Sequence, residues 1–224
     1  MKQNFFIIAV SICSLGVCAQ GVNIKLITPS EKEGIIKLLP PNKQGGMPLM
    51  QALNERQTIR NYTDETLTVQ QISDVLWSAV GVNRPQSDNR RTSPTARNFQ
   101  EIEVYAFIES GVYFYDAIKH ELVLVKAGDH RKDAVKQEFA QKAPLVLVFV
   151  ANYDKLGSGM DEESKAFYGA TDVGFASQNV YLYCTSEGLG TVVLGMIDRE
   201  KIAELISLKN GKALLGQVVG RIKK

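Results

Sequence analysis

The residues of this chain whose types and spacing could do chemistry are arginines, hydroxyls and amides rather than the usual catalytic set. Arg56, Thr58 and Arg60 place two cations four residues apart around a hydroxyl, with Gln57 between them, and residues four apart share one face of a helical turn. Thr95 and Asn98 lie in a polar loop, and Arg221 and Lys223 stand near the end of the chain. Arginine beside a hydroxyl binds phosphate through charge-assisted hydrogen bonds, so this set points to a phosphate-bearing ligand. Other chemistries are poorly supplied. His120 and His130 are the only histidines, and neither has metal-ligand or triad spacing. Cys184 falls in a helical stretch where a thiol packs as a small apolar group. Gly188-Leu189-Gly190 looks like half a dinucleotide fingerprint, but it follows a helix and enters a strand, the reverse of what that motif needs.

The elements that must position these groups are legible in outline. Asp161 to Gly190 opens on acidic residues and closes on Gly188, as a helix does to complement its dipole and then stop. Apolar residues on two faces, with Gly169, Gly174, Ala176 and Ser177 allowing close approach, predict a central helix covered by protein nearly all round. At about 27 residues it would span roughly 40 Å, long enough for part of it to be buried by a second subunit. Thr68 and Gln71 form a capping box, with Leu67 and Ile72 as its hydrophobic staple, for a helix that buries Ile72, Val75, Leu76 and Ala79. Pro48 starts a short helix with Leu49, Met50 and Leu53 inward. Glu101 to Glu109 alternates as a strand, and Val112–Tyr115 with Leu122–Val125 suggests an antiparallel hairpin. A helix over Arg131 to Gln141 leads into Leu145–Val150, an apolar run buried on both faces. Thr191–Leu194 makes a second buried strand, Asp198 caps a helix carrying Ile202, Leu205 and Ile206, and Leu214–Val219 is the last strand. Helices mixed with a hairpin predict an α+β fold, a helix-covered mixed sheet rather than a regular βαβ alternation.

Composition sets the outer bounds. The chain has 224 residues, with 26 Lys and Arg against 24 Asp and Glu, for a formal net charge of +2, and no basic surface of the kind that nucleic acid requires. Lys2 followed by the apolar run Phe5 to Val17 is too short to span a bilayer and has the pattern of a secretory signal. Residues 1–19 are therefore expected to be removed after Ala19, with export, most simply to a periplasm, as the consequence. A lipoprotein at Cys18 fits less well because Val17 precedes it. Cys13 and Cys18 would leave with the signal, and Cys184 alone offers no disulfide framework. Residues 20–47 read as an extended arm because LLPPNKQGG blocks regular structure, and 48–224 as one domain.

Beyond what spacing supplies, the motifs resemble those of a known family. Arg56-Gln57-Thr58-Ile59-Arg60-Asn61-Tyr62 is similar to the opening motif of the nitroreductase family of FMN-dependent oxidoreductases. Ser93-Pro94-Thr95-Ala96-Arg97-Asn98-Phe99-Gln100 resembles its Pro-Ser-Ser-x-Asn-x-Gln loop, with Thr95 and Ala96 where serines are common. Gln137-Glu138-Phe139, the helix carrying Asp172, Gly174, Gln178 and Asn179, and Glu187-Gly188-Leu189-Gly190-Thr191 into Leu194-Gly195 continue the likeness in order. The branch it most resembles is that of the azoline-oxidising (SagB/ThcOx-type) dehydrogenases.

The resemblance implies a nitroreductase-like fold with its long helix at a homodimer interface, and FMN as cofactor. It implies that Arg56, Gln57, Thr58 and Arg60 hold the phosphate and ribityl end, and that Pro94, Thr95, Ala96 and Asn98 reach the flavin from the partner subunit. Gln137 would meet the pyrimidine edge, backbone N–H groups at Leu194 and Gly195 would face N5 and O4, and Arg221 would assist the phosphate. Ala96 lacks the hydroxyl often found there, and the chain stops soon after Arg221. The activity implied is two-electron transfer by a ping-pong mechanism between a small donor such as NAD(P)H and an acceptor. Tyr168 is the side chain considered as a proton donor. The alternative is a flavin- or ligand-binding protein without turnover on the same scaffold, which export would favour because NAD(P)H is scarce outside the cytoplasm.

Overall fold

Leu145–Asn152 is apolar at nearly every position, and a strand with no polar face has to be covered on both sides. The computed structural model, which describes residues 34–63 and 65–223, puts this strand inside a seven-stranded sheet. The expected signal segment and residues 20–33 of the expected arm lie outside the described residues. In chain order the elements are β1 (Ile35–Lys37), α1 (Leu49–Glu55), α2 (Val69–Val80), β2 (Val82–Arg84), β3 (Arg90–Arg91), β4 (Ile102–Ile108), β5 (Gly111–Asp116) and β6 (Glu121–Ala127). They continue with α3 (Arg131–Ala134), α4 (Glu138–Gln141), β7 (Leu145–Asn152), α5 (Glu162–Ser186), β8 (Leu189–Leu194), α6 (Arg199–Leu205) and β9 (Gly211–Arg221).

The sheet runs β1-β6-β5-β4-β7-β9-β8, and β2 and β3 form a separate small hairpin. The α+β class is as expected. A mixture of strand directions is not found: every pairing in the large sheet is antiparallel. Alternate residues of β4 and β7 feed two cores. Ile102, Val104, Ala106, Leu145, Leu147 and Phe149 pack under α2 and α5 through Leu76, Val173, Val180 and Cys184. Phe107, Val146, Val148 and Val150 pack on the other face against Ala134, Ala140 and Ile202 of α3, α4 and α6, and against Ile206 just past the end of α6.

The start signals act where they were read. Thr68 accepts from the Gln71 backbone N–H while the Gln71 side chain accepts from the Thr68 N–H, completing the capping box of α2. Asp161 caps α5 by accepting from Ser164, and Asp198 caps α6 by accepting from Lys201. Gly188, just past α5, has φ +64°, the left-handed conformation that ends helices at little steric cost to glycine.

Three expectations need correction. The helix over 131–141 is two single turns, because Val135 bridges Ile197 in an antiparallel pair and draws Val135–Gln137 into extended backbone. α1 forms, but Leu49, Met50 and Leu53 point outward, Met50 being 75% exposed, and Ala52 is its buried residue. Within the single chain α5 is not covered all round, and one stripe along it stays open. Val173, Val180 and Cys184 are buried, whereas Phe167, Ala170, Gly174, Phe175 and Gln178 form an exposed stripe.

Candidate functional site

β8 is the outermost strand of the sheet, and the expected site residues gather along its free edge. In an antiparallel ladder, residues of one strand alternate between bonding the neighbour and facing away. The Ile59 N–H donates to Thr191 O at 3.1 Å, and the Val193 N–H donates to the Tyr181 hydroxyl at 3.0 Å. Thr191 and Val193 therefore face the edge, and by the same two-residue phase Leu194 turns to its ladder partner Gly216. Gly195, the next residue in phase with Val193, can direct its N–H outward. A Cβ built on Gly195 would meet nothing within 4 Å, so the space beside that donor is open.

At the other end of the edge stands the cationic segment Arg56–Arg60, which is irregular backbone beyond the end of α1 and not the helical turn its four-residue spacing suggests, because Ile59 is drawn onto the strand edge. Thr58 Oγ1 pairs with Tyr181 Oη at 3.2 Å, and the Arg56 guanidinium lies 5.3 Å from the centre of the Tyr181 ring, a cation–π contact. Arg56 and Gln57 line a depression of about 460 Å³ with Ile59, Gly188, Leu189 and Ile222. The arginine ion pairs among the described residues are Arg131–Asp129 and Arg221–Glu65, so neither Arg56 nor Arg60 is paired with a described carboxylate. Tyr62 fixes the segment against the sheet. Its hydroxyl donates to Ile59 O, and its ring packs over the cross-strand pair Gly190 and Gly220, where an added Cβ would come within 2.9 and 3.0 Å of it. Burial pushes the Tyr62 phenol well above its ordinary range, so it stays a neutral donor.

Gln137 reaches the far end because the helix there is broken. The Val135–Ile197 bridge and the Lys136 N–H to Met196 O bond hold its segment just beyond Gly195. Its amide oxygen is buried without a hydrogen-bond partner among the described residues, an arrangement that costs roughly 1–3 kcal/mol unless a donor arrives. Arg221 is at the opposite end, paired with Leu189, and its side chain is committed to Glu65, Thr66 and Gln71 at 3.4–3.5 Å.

Pro94, Thr95, Ala96 and Asn98 are not part of this edge. Their loop docks on the other side of α5, where the Ala96 N–H donates to Asp172 Oδ2 at 3.1 Å. It is braced internally by Gln100, whose N–H donates to Thr95 Oγ1 and whose side-chain amide donates to Asn98 Oδ1. Arg97, Asn98 and Gln100 all have positive φ near 50–58°, strain that the bracing must hold. Beneath the loop Glu101 is fully buried, and neither of its carboxyl oxygens has a hydrogen-bond partner among the described residues. Burial, with the Asp172 carboxylate beside it, pushes Glu101 up to about 7.

Neither Tyr181 nor Glu101 stands out in the sequence. Tyr181 could have been found from its position one helical stripe away from Cys184, whereas Glu101 looks like any polar residue at the start of an alternating strand. Tyr168, considered as a proton donor, is half-buried on α5. Among the described residues no group of three or more His, Cys, Asp or Glu is placed to hold a metal ion, and no helix is long and apolar enough to cross a membrane. Cys184 is buried and its thiol pushed far up by burial, which makes it a packing group.

Comparison with known proteins agrees with the motifs. Residues 53–221 match the model described as the nitroreductase family. A Methanocaldococcus jannaschii protein provisionally named a nitroreductase is 32% identical over 187 residues, 78% of this chain and 92% of that one. The crystal structure of a protein provisionally called a nitroreductase from Ralstonia eutropha superposes with a TM-score of 0.81 at 36% identity, covering 89% of this chain and 97% of that one. A chain of the E. coli microcin synthetase complex shares the fold at a TM-score of 0.64 and 18% identity, over 84% of this chain and 79% of that one.

Proposed function

This chain belongs to the nitroreductase family, and we propose that within it the protein is an FMN-dependent oxidoreductase working as a homodimer with two interfacial sites. The carrying observation is the order of groups along one strand edge: Arg56 and Arg60, which form no ion pair among the described residues, then the open Gly195 donor position, then the Gln137 amide oxygen, which has no partner among them. From Thr191 to Gly195 that edge extends roughly 13 Å at about 3.3 Å per residue. A ligand with a phosphate at one end and a ring N–H at the other satisfies both ends, and FMN is such a ligand.

In this reading Arg56 and Arg60 hold the phosphate, with Tyr181 fixing Thr58 and stacking on Arg56. The Gln137 amide oxygen accepts from the pyrimidine N–H. The Gly195 N–H donates toward developing negative charge, which favours the reduced cofactor. Bound FMN would supply the chemistry, accepting a hydride from a donor in one half-reaction and passing it to an acceptor in the other. The Pro94–Asn98 loop completes the site from the partner subunit, and the outward Leu49, Met50, Phe167 and Phe175 are the apolar surface that pairing would cover. Export follows from the N-terminal pattern alone; the mass of the protein recovered from its host, short by residues 1–19 or not, tests it.

The experiment is purification of the protein and its visible spectrum. A yellow protein with one FMN per chain, bleached by a reduced donor and recoloured by an acceptor, is expected. A colourless protein that takes up no FMN would defeat the proposal. A second reading, flavin binding without turnover, is favoured by the scarcity of acid–base side chains along the edge. Rapid-mixing reduction separates the two: a bound flavin that no donor reduces selects the binding protein.

A further inference from the structure

We propose that the depression bounded by Arg84, Arg90, Arg91 and Arg97 is an anion subsite, one that holds the phosphate of a small-molecule substrate beside the flavin-contacting loop. It encloses about 410 Å³ and is also lined by Ser93, Pro94, Thr95 and Asn98. The arginines converge from the β2–β3 hairpin and from the turn that follows it, so a charge run that would scatter over a solvated face is gathered around one concavity.

None of the four guanidinium groups forms an ion pair among the described residues. Two are fixed by neutral acceptors. Arg84 donates to Asn83 Oδ1 and to Arg91 O, both at 3.0 Å. Arg91 donates to Gln100 Oε1 at 3.0 Å and to Ile102 O at 3.4 Å. Such bonds orient the groups without cancelling their charge. Arg90 and Arg97 are exposed and make no side-chain hydrogen bond among the described residues. Burial lowers the Arg91 pKa, while Tyr115, Glu103, Asp116 and Glu101 lie near enough to support its charge. Planar forks around a concavity are suited to a tetrahedral oxyanion, which they grip through paired hydrogen bonds. Asn98 directs its oxygen to Gln100 Nε2 at 3.1 Å, which leaves its amide N–H groups as further donors.

The depression shares Pro94, Thr95 and Asn98 with the loop assigned to the partner's flavin, so this inference rests on the proposed function. The chemistry is that of a phosphate or pyrophosphate, whether carried by a nucleotide donor or free in solution. The test uses the FMN-loaded dimer of the wild type and of the Arg90→Gln/Arg97→Gln variant, whose altered side chains hold nothing else in place. Adenosine 2′,5′-bisphosphate, inorganic pyrophosphate and adenosine are titrated by calorimetry while the flavin spectrum is recorded.

The wild type is expected to bind the bisphosphate and not adenosine, with a visible difference spectrum, and the variant to bind it at least tenfold more weakly at unchanged FMN content. Tighter binding of the bisphosphate than of pyrophosphate supports a nucleotide source, and the reverse supports a free oxyanion. Absence of binding to the wild type, equal binding to both proteins, or binding without a change in the flavin spectrum overturns the proposal. Phosphate binding by a protein that takes up no FMN overturns the flavin reading instead.

Discussion

Asp172 and Tyr181 leave the same helix in opposite directions. Nine residues separate them in α5, which is two and a half turns, roughly 13 Å along the axis and half a turn around it. Tyr181 holds the cationic segment through Thr58, and Asp172 holds the Pro94–Asn98 loop through Ala96. One chain therefore keeps the two halves of its motif set on different sides of its longest helix, and a second chain packed on the exposed stripe of α5 is the direct way to unite them.

Replacing Phe175 by Glu on that stripe places a charge where the proposed partner would dry it. The side chain is 44% exposed in the single chain, so the change should cost little in folding, within about 0.5 kcal/mol for a surface site. Sedimentation is expected to show a monomer that has lost FMN. A variant that remains a flavin-loaded dimer would remove α5 from the interface.

Gly190 permits the close approach of Tyr62 and Ile59. A Cβ there would stand 2.9 Å from each side chain, so Gly190→Ala must push the cationic segment off β8. Overpacking of this kind costs roughly 1–3 kcal/mol. Thermal unfolding should fall by several degrees and FMN should dissociate faster, whereas unaltered values for both would mean that the segment is not held through Tyr62.

Glu101 should give the folded protein a distinct pH profile. Its carboxyl is raised to about 7 from an ordinary 4.5, so between those values the folded chain holds a proton that the unfolded chain has released. Stability from this group is complete below the lower value and falls as pH rises toward 7, by an amount on the order of 3 kcal/mol. Glu101→Gln keeps the shape, can donate to Asp172, and is expected to flatten the profile and to be the more stable protein at pH 8. Parallel denaturation profiles from pH 4.5 to 8 would rule out the buried proton.

The sequence made some of these features legible and hid others for physical reasons. β4 and β7 could be read because alternation and unbroken apolarity are local properties, and α5 because Asp161 and Gly188 mark its ends. The break between α3 and α4 depends on Val135 meeting Ile197, a pairing that no window around 131–141 contains. The outward face of α1 looks like a core face because both are apolar. The antiparallel direction of every strand is set by connections rather than by composition. In the site, Arg56, Thr58 and Arg60 were visible as a cluster in sequence, whereas the meeting of Glu101 with Asp172 and of Thr58 with Tyr181 exists only once α5 has packed.

The most direct measurement is FMN affinity in an Arg56→Ala/Arg60→Ala variant, by calorimetric titration of apoprotein against the wild type, with circular dichroism confirming that both are folded. Charged hydrogen bonds contribute about 1.5–3 kcal/mol each, so loss of both arginines should weaken binding by roughly 3–6 kcal/mol. Unchanged affinity in a folded double variant would contradict the placement of the phosphate on the Arg56–Arg60 segment.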